Sequence, residues 1–222
     1  MTPKRIQTAS INNGPYLIAL HSCSTNLGVA IIDSRSPKTS LKSCTFPIGR
    51  NLSNKIINCV NQLLPCSYWS KIGRIAVSIG PGGFTSTRIT VVMGRTLAQQ
   101  LNCELDGISS FALMAPRLAN SLTSLQKTKP FWIVKDLPRR GLIVGKYQIQ
   151  ENLEENSMKI VRELKRPHLL SPPLNISPTI QASDNVELDV IHLLKISLMA
   201  HKVNQESQWQ NVIPIYPTSP VG

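Results

Sequence analysis

The sequence is poor in aromatic residues and has no long apolar run. Aromatic side chains make up 5% of the 222 residues, so stacking platforms for single-stranded nucleic acid are scarce. No segment approaches the roughly 20 consecutive apolar residues that a membrane-spanning helix needs. The polar N-terminus lacks the apolar core of a secretory signal. We therefore expect a cytoplasmic protein without membrane association, in which residues 1–14 form a disordered leader.

The sequence also lacks a recognisable metal-binding pattern. It has five cysteines, an odd number, with no C-x-x-C pair, and four histidines, none of them at H-x-x-x-H spacing. Structural zinc sites and disulfide frameworks both need regularly spaced ligands or cysteine pairs. The sequence predicts neither a metal site nor a bound cofactor.

Acidic residues are half as frequent as basic ones. The chain has 24 Lys and Arg against 12 Asp and Glu, which gives a formal net charge of +12. A basic excess is typical of proteins that contact nucleic-acid phosphates, but here the cations are scattered in short clusters. Two interpretations stay open, a dedicated nucleic-acid-binding face and a basic surface that helps the protein meet a partner already holding RNA.

The most informative stretch is a glycine-rich turn between an apolar strand and a helix. Residues 75–79 are apolar and predict a buried strand. The turn that follows, which we call the glycine turn, consists of Gly80, Pro81, Gly82 and Gly83. Hydroxyls at 85–87 are candidate N-caps for a helix over about 88–101. Such a turn can bind a phosphate through backbone N–H groups, or it can serve only the close packing of the strand and the helix. The spacing of these glycines matches neither the P-loop motif nor the dinucleotide-binding motif.

Hydrophobic periodicity predicts an α/β fold. Before the glycine turn, three strands at 16–20, 28–33 and 41–46 precede a helix at 52–64. Together with the strand and helix around the turn, they form a βββαβα unit. In the second half we expect a helix at 110–125 and strands at 131–134, 141–149 and 158–161. A last helix, capped by Asp184 or Asn185, should extend to about residue 202.

The segment from Ser78 to Ile89 resembles the signature of the TsaB (YeaZ) family, G-x-G-P-G-S-F-T-G-[VL]-R-[IV]-G. Residues 107–110 and 134–136 resemble further motifs of that family. The resemblance implies an actin-like (ribonuclease H-like) fold of the ASKHA superfamily with two interleaved βββαβα lobes. The lobes would span 15–109 and 110–222, with the last helix, about 185–202, returning to the first lobe. It also implies a structural role for Gly80–Gly83, Phe84, Thr85 and Arg88.

The same resemblance implies a function. The chain would be a non-catalytic scaffold subunit of the machinery that forms N6-threonylcarbamoyladenosine in tRNA, binding a TsaD-like protein as a heterodimer. A TsaE-like ATPase would be a second partner, and tRNA would be contacted indirectly. His21 stands where the family has aspartate, and Thr218 where it has arginine, so independent nucleotide hydrolysis is disfavoured. The alternative is a small ATP-dependent phosphotransferase or nucleotide hydrolase that uses the glycine turn.

The helix after the glycine turn has two apolar faces, one of which is built from small residues. That small face can be buried within the chain or can receive a helix of a partner protein. The resemblance favours the partner, either a TsaD-like protein or, through the same helices, a second copy of the chain. The predicted interface residues are Leu52, Ile56, Val60, Val91, Gly94, Arg95 and Ala98.

Overall fold

Two β-sheets and four α-helices make up the part of the chain that is described in this computed structural model, residues 11–123, 129–138, 140–151, 159–170 and 175–217. None of the described helices is long and apolar enough to cross a membrane.

The first sheet has five strands in the order β3-β2-β1-β4-β5. They are β1 (Tyr16–His21), β2 (Leu27–Asp33), β3 (Lys42–Phe46), β4 (Ile72–Ser78) and β5 (Glu104–Ile108). The first three strands pair antiparallel, whereas β4 pairs parallel with both β1 and β5. Almost every residue of β1, β2 and β4 is buried, as expected for apolar strands covered on both faces.

Helices cover both faces of this sheet. On one face, α1 (Leu52–Leu63) and α2 (Phe84–Leu101) pack against alternate residues of β1 such as Ile18 and Leu20. On the other face, α4 (Val186–Lys202) packs against Leu17 and Ala19. This division follows from the two-residue period of a strand. The last helix thus packs against the first sheet, although it follows the second sheet in the chain.

In the described part of the chain, the second sheet has four strands, and their order repeats that of the first four strands of the first sheet. Its strands are β6 (Phe131–Leu137), β7 (Gly141–Glu151), β8 (Lys159–Leu169) and β9 (Thr179–Gln181), ordered β8-β7-β6-β9. The helix α3 (Ser110–Leu118) covers one face of this sheet through Phe111 and Met114. Two sheets of the same topology confirm the predicted actin-like α/β fold.

The structure corrects the predicted N-terminal leader. The side chain of Asn12 donates hydrogen bonds to the carbonyls of Ser70 and Ile72, at 3.0 and 3.1 Å. Gly14 packs closely against the backbone around Lys71 and Gly73. A Cβ on Gly14 would lie 2.2 Å from the carbonyl oxygen of Lys71. Residues 12–14 are therefore part of the folded body, whereas residues 1–10 lie outside the described residues.

Element bounds in the second half differ from the predictions. The helix α3 ends at Leu118 instead of 125, with Pro116 in its last turn. The strand β8 has 11 residues, far more than the predicted 158–161. By contrast, α4 begins where predicted, because the Asn185 side chain accepts a hydrogen bond from the N–H of Leu188. The segment 212–216, which resembles a closing strand, is irregular.

Candidate functional site

The glycine turn lies between β4 and α2 and is held by hydrogen bonds from its own chain. The Gly83 N–H donates to the carbonyl of Cys23 at 3.1 Å. The Ser110 N–H donates to the carbonyl of Gly80 at 2.7 Å, and its hydroxyl donates to the carbonyl of Pro81 at 2.6 Å. Gly80 has φ +94°, a conformation that favours glycine, and its peptide bond to Pro81 is cis.

Close packing explains the second glycine of the turn. A Cβ on Gly82 would lie 2.4 Å from the Cβ of Cys23 and 2.5 Å from its carbonyl oxygen. From the other side, the C-terminal segment reaches the turn, where the N–H of Ile215 donates to the carbonyl of Ile79 at 2.7 Å. These contacts favour the close-packing alternative over an open cradle for phosphate.

The start of α2 differs from the prediction. The helix begins at Phe84, one turn before residue 88, and its N-cap is Gly83, with no side-chain cap. The Ser86 hydroxyl donates to the carbonyl of Gly83 at 3.1 Å. Thr87 is buried and its hydroxyl lies 3.8 Å from the sulfur of Cys23. The Ser86 and Thr87 hydroxyls, which were predicted as caps, therefore contact the turn and the first hairpin.

The turn after β1 is tied to α2 through hydroxyl groups. Ser22, which is 1% exposed, donates to the carbonyl of Ser86 at 3.0 Å and forms a short hydrogen bond with the hydroxyl of Thr90. The sulfur of Cys23 lies 3.0 Å from the hydroxyl of Ser78. Ser22 and Cys23 of this turn therefore bond to side chains and carbonyls of the same chain.

His21 and Cys23 form a buried, electrostatically coupled pair beneath the glycine turn. Burial disfavours the imidazolium, but the combined interactions with Cys23, Asp189 and Asp184 outweigh burial and raise the pKa of His21. Burial also disfavours the thiolate, yet the His21 contact, supported by Ser78, lowers the pKa of Cys23. Nδ1 of His21 is buried and has no hydrogen-bond partner. The position where the family has aspartate thus holds an internal imidazole.

The predicted partner-interface residues require a correction. Leu52, Ile56, Val60, Val91 and Ala98 are at most 3% exposed, and Gly94 is also buried. A Cβ on Gly94 would lie 2.6 Å from Cγ1 of Val77. The small-residue face of α2 therefore packs on the sheet of its own chain. Of the seven predicted residues, only Arg95 is partly exposed, and any partner must contact the opposite sides of these helices.

Other sides of α1 and α2 expose several large apolar side chains. Val92 of α2 is 55% exposed and Ile57 of α1 is 47% exposed. Three more such residues lie at the start of α2 and on the C-terminal segment that runs beside it: Phe84, Ile213 and Tyr216. We call these five residues the outer patch. No periodicity rule identifies the patch from sequence, because α2 has apolar residues on both sides.

Ring and cation contacts hold the C-terminal segment against α2. The rings of Phe84 and Tyr216 lie 4.9 Å apart, and the guanidinium of Arg88 lies 5.4 Å from the Phe84 ring centroid. Further along the helix, Arg95 lies 5.5 Å from the ring of Trp209 and donates to the carbonyl of Val212 at 3.4 Å. Arg88 and Arg95 therefore order the surface around the outer patch.

Sequence reasoning missed a second site, a cavity of about 460 Å³ lined by β5, β8 and α4. At its wall the Ser109 hydroxyl donates to the carboxylate of Glu163 at 2.7 Å, and Tyr147 donates to the same oxygen at 3.1 Å. Burial and the Glu163 charge raise the pKa of Tyr147. No spacing signal links these residues, because they come from three separate elements.

Comparison with known proteins identifies the family. The model of the family TsaD, described as tRNA N6-adenosine threonylcarbamoyltransferase, matches residues 48–211, more than half of the chain. No curated protein sequence matches. YeaZ from Pseudomonas aeruginosa is similar in structure, with 18% identity and a TM-score of 0.61, over 90% of this chain and 99% of that chain.

A second solved structure is a protein from the same organism, described as similar to peptidase YEAZ. It has 19% identity and a TM-score of 0.62, over 91% of this chain and 99% of that chain. At such identities the two structures establish the fold, and the family model establishes the relationship. The chain therefore belongs to the Gcp-like family of TsaD and TsaB (YeaZ) proteins and has their actin-like fold.

Proposed function

We propose that this chain is a TsaB-like, non-catalytic subunit that binds a TsaD-like protein through the outer patch and supports threonylcarbamoylation of tRNA adenosine. The observation that carries the proposal is the exposure of five large apolar side chains on α1, α2 and the adjoining C-terminal segment. Exposed large apolar side chains that lie close together mark protein interaction sites, and within this set the Phe84 and Tyr216 rings are in contact, 4.9 Å apart. The family match over residues 48–211 supports a partner from the same modification machinery.

The internal bonding of the glycine turn supports a scaffold role over phosphotransfer. A phosphate at this turn would have to compete with the carbonyl of Cys23 for the N–H of Gly83. His21 also occupies the position where a carboxylate would be needed to bind Mg²⁺. The second candidate, a nucleotide hydrolase acting at the turn, predicts ATP binding by the isolated chain. Calorimetric titration with Mg·ATP tests this directly, and binding that is lost in Gly83→Pro would favour the hydrolase.

The outer patch makes a sharp test of the scaffold proposal. Val92→Arg and Ile57→Arg each place a charge at an exposed position of the patch without entering the core. Leu188→Arg is the matched control, because Leu188 is 52% exposed but lies on α4, which covers the opposite face of the first sheet. Binding to the TsaD-like protein of the same organism is measured by calorimetry and by co-purification.

We expect both patch variants to weaken binding at least tenfold, since charge burial at an interface centre costs more than about 1.4 kcal/mol. The control should bind like wild type. Equal binding by all three variants would remove the outer patch as the interface. A TsaE-like ATPase and a homodimer through α1 and α2 remain part of the proposal, and sedimentation of the wild-type chain with and without the TsaD-like protein tests the homodimer.

A further inference from the structure

One face of the second sheet carries a tryptophan among basic side chains. The other face packs against α3 through buried residues such as Phe131, Ile133 and Tyr147. Because side chains alternate along a strand, Trp132 of β6 and Lys146 of β7 point away from this core. Both are partly exposed, and Arg162 and Lys165 of the edge strand β8 are exposed.

Strand register brings these residues together. Trp132 pairs with Lys146, and Lys146 pairs with Lys165, so one row crosses three strands. The ammonium groups of Lys146 and Lys165 lie 5.4 and 6.0 Å from the Trp132 ring centroid. The ring of His168 lies 6.5 Å from the same centroid. We call Trp132, Lys146, Arg162, Lys165 and His168 the basic face.

Among the described residues, no acidic side chain forms an ion pair with the cations of this face. Within the described ranges, the ion pairs of the second sheet join Lys135 to Asp184 and Arg166 to Glu163, and no carboxylate of those ranges pairs with Lys146, Arg162 or Lys165. Unpaired cations around an aromatic ring leave a surface that attracts an anion with a stacking group. Nucleic acid combines both features.

We propose that the basic face binds single-stranded RNA, with an unpaired base stacked on Trp132 and neighbouring phosphates on Lys146, Arg162 and Lys165. Bases of any kind stack on an aromatic ring, and a β-sheet surface is a common platform for unpaired RNA. The long lysine side chains can leave the ring and reach phosphates when a base replaces them. The inference rests on the proposed function, since tRNA would be the ligand, and it assigns direct contact to this chain.

A fluorescein-labelled short oligoribonucleotide, single-stranded or in duplex form, is titrated with the chain alone. The variants are Trp132→Ala, Trp132→Phe and the double variant Lys146→Gln/Lys165→Gln. The controls are Tyr68→Ala and Lys71→Gln, because Tyr68 is 42% exposed and the Lys71 ammonium lies 5.7 Å from its ring. This pair reproduces the local chemistry on the first lobe, and thermal unfolding checks that every variant is folded.

Trp132→Ala should weaken single-strand binding about tenfold, whereas Trp132→Phe keeps most of the affinity. The double lysine variant should reduce the slope of log K against log salt by about 1.4, or about 0.7 for each phosphate contact. The Tyr68 and Lys71 controls should bind like wild type.

Three results would overturn the proposal. Equal losses of RNA affinity in the control variants would mean that RNA is attracted by the overall positive charge of the protein and not by the basic face. Tight duplex binding that is insensitive to Trp132→Ala would mean phosphate contact without stacking. Absence of RNA binding, with lysine-dependent binding of an acidic peptide, would assign the face to a protein. None of these outcomes affects binding of a TsaD-like protein through the outer patch, so the two proposals can fail separately.

Discussion

Two arginine substitutions two residues apart on α2 should differ sharply in how much they destabilise the fold. Gly94 faces the sheet, where a Cβ would lie 2.6 Å from Cγ1 of Val77 and 3.3 Å from Cδ1 of Leu105. Overpacking by a few atoms costs about 1–3 kcal/mol, and burying an unpaired guanidinium adds several more. The total for Gly94→Arg is on the order of 5 kcal/mol or more, which is comparable with the whole stability of a typical domain.

Val92→Arg should change the free energy of unfolding by no more than about 0.5 kcal/mol, because Val92 is 55% exposed. Urea unfolding followed by circular dichroism measures both variants. Gly94→Ala is a graded control, in which the contact with Val77 opposes a gain in helix propensity of about 1 kcal/mol. If Gly94→Arg unfolds at the wild-type urea concentration, the inward orientation of this face of α2 is wrong and the residue belongs to the surface.

Three further predictions concern buried polar groups and the glycine turn. Asp106→Asn should destabilise the fold by about 3–5 kcal/mol in urea unfolding, because Arg74 is 2% exposed and would lose a bidentate partner at 2.7 Å; a loss under about 1 kcal/mol contradicts this. His21→Asn should raise the pKa of Cys23, since burial is then opposed only by the weaker contacts with Ser78 and Thr87. A lowered thiol pKa stabilises the fold at pH values above the ordinary pKa of a thiol, and this stabilisation is lost as the pH falls through the thiol pKa of the folded state. In His21→Asn this contribution to stability should become smaller. Thiolate absorbance, measured as a difference from Cys23→Ser, follows this titration, and an unshifted curve would refute the coupling. Gly82→Ala should lower the urea midpoint by the equivalent of about 1–3 kcal/mol, because its Cβ would lie 2.4 Å from that of Cys23.

The first lobe was predictable because its signals are local. Apolar runs in β1, β2 and β4 are long enough to mark buried strands. The helix α1 ends next to Pro65 and carries its buried residues at helical spacing. Each boundary therefore depends on residues within one turn of it, and the order βββαβα follows without any information on tertiary contacts.

The orientation of α2 was not predictable from periodicity. Val91 and Met93 are two residues apart and so lie on nearly opposite sides of the helix, yet both are buried, whereas Val92 between them is exposed. Small residues allow close approach of any backbone, whether that of a partner helix or that of the sheet beneath. At Gly94 the close neighbours are Val77 and Leu105 of the same chain, so the small side chain reflects internal packing. Only the three-dimensional arrangement distinguishes the two cases.

The length of β8 was underestimated because this strand lies at the edge of its sheet. Its residues Arg162, Leu164 and Lys165 are exposed, and charged side chains are common on edge strands, where they discourage pairing with other chains. A run of this composition does not alternate clearly between apolar and polar residues. The charged residues that obscure the hydrophobic alternation of this strand also form part of the basic face.

The role of the glycine turn depends on residues far from it in sequence. A phosphate cradle and a tightly packed turn need the same glycines at the same spacing, because both require backbone without side chains nearby. What decides between them is the chain that approaches the turn. Here Cys23 and Ser110 supply the hydrogen-bond partners of Gly83 and Gly80, and His21, two residues before Cys23, is also buried. The departure from the family pattern at His21 and the internal bonding of the turn thus occur on the same hairpin, which favours a turn that serves packing.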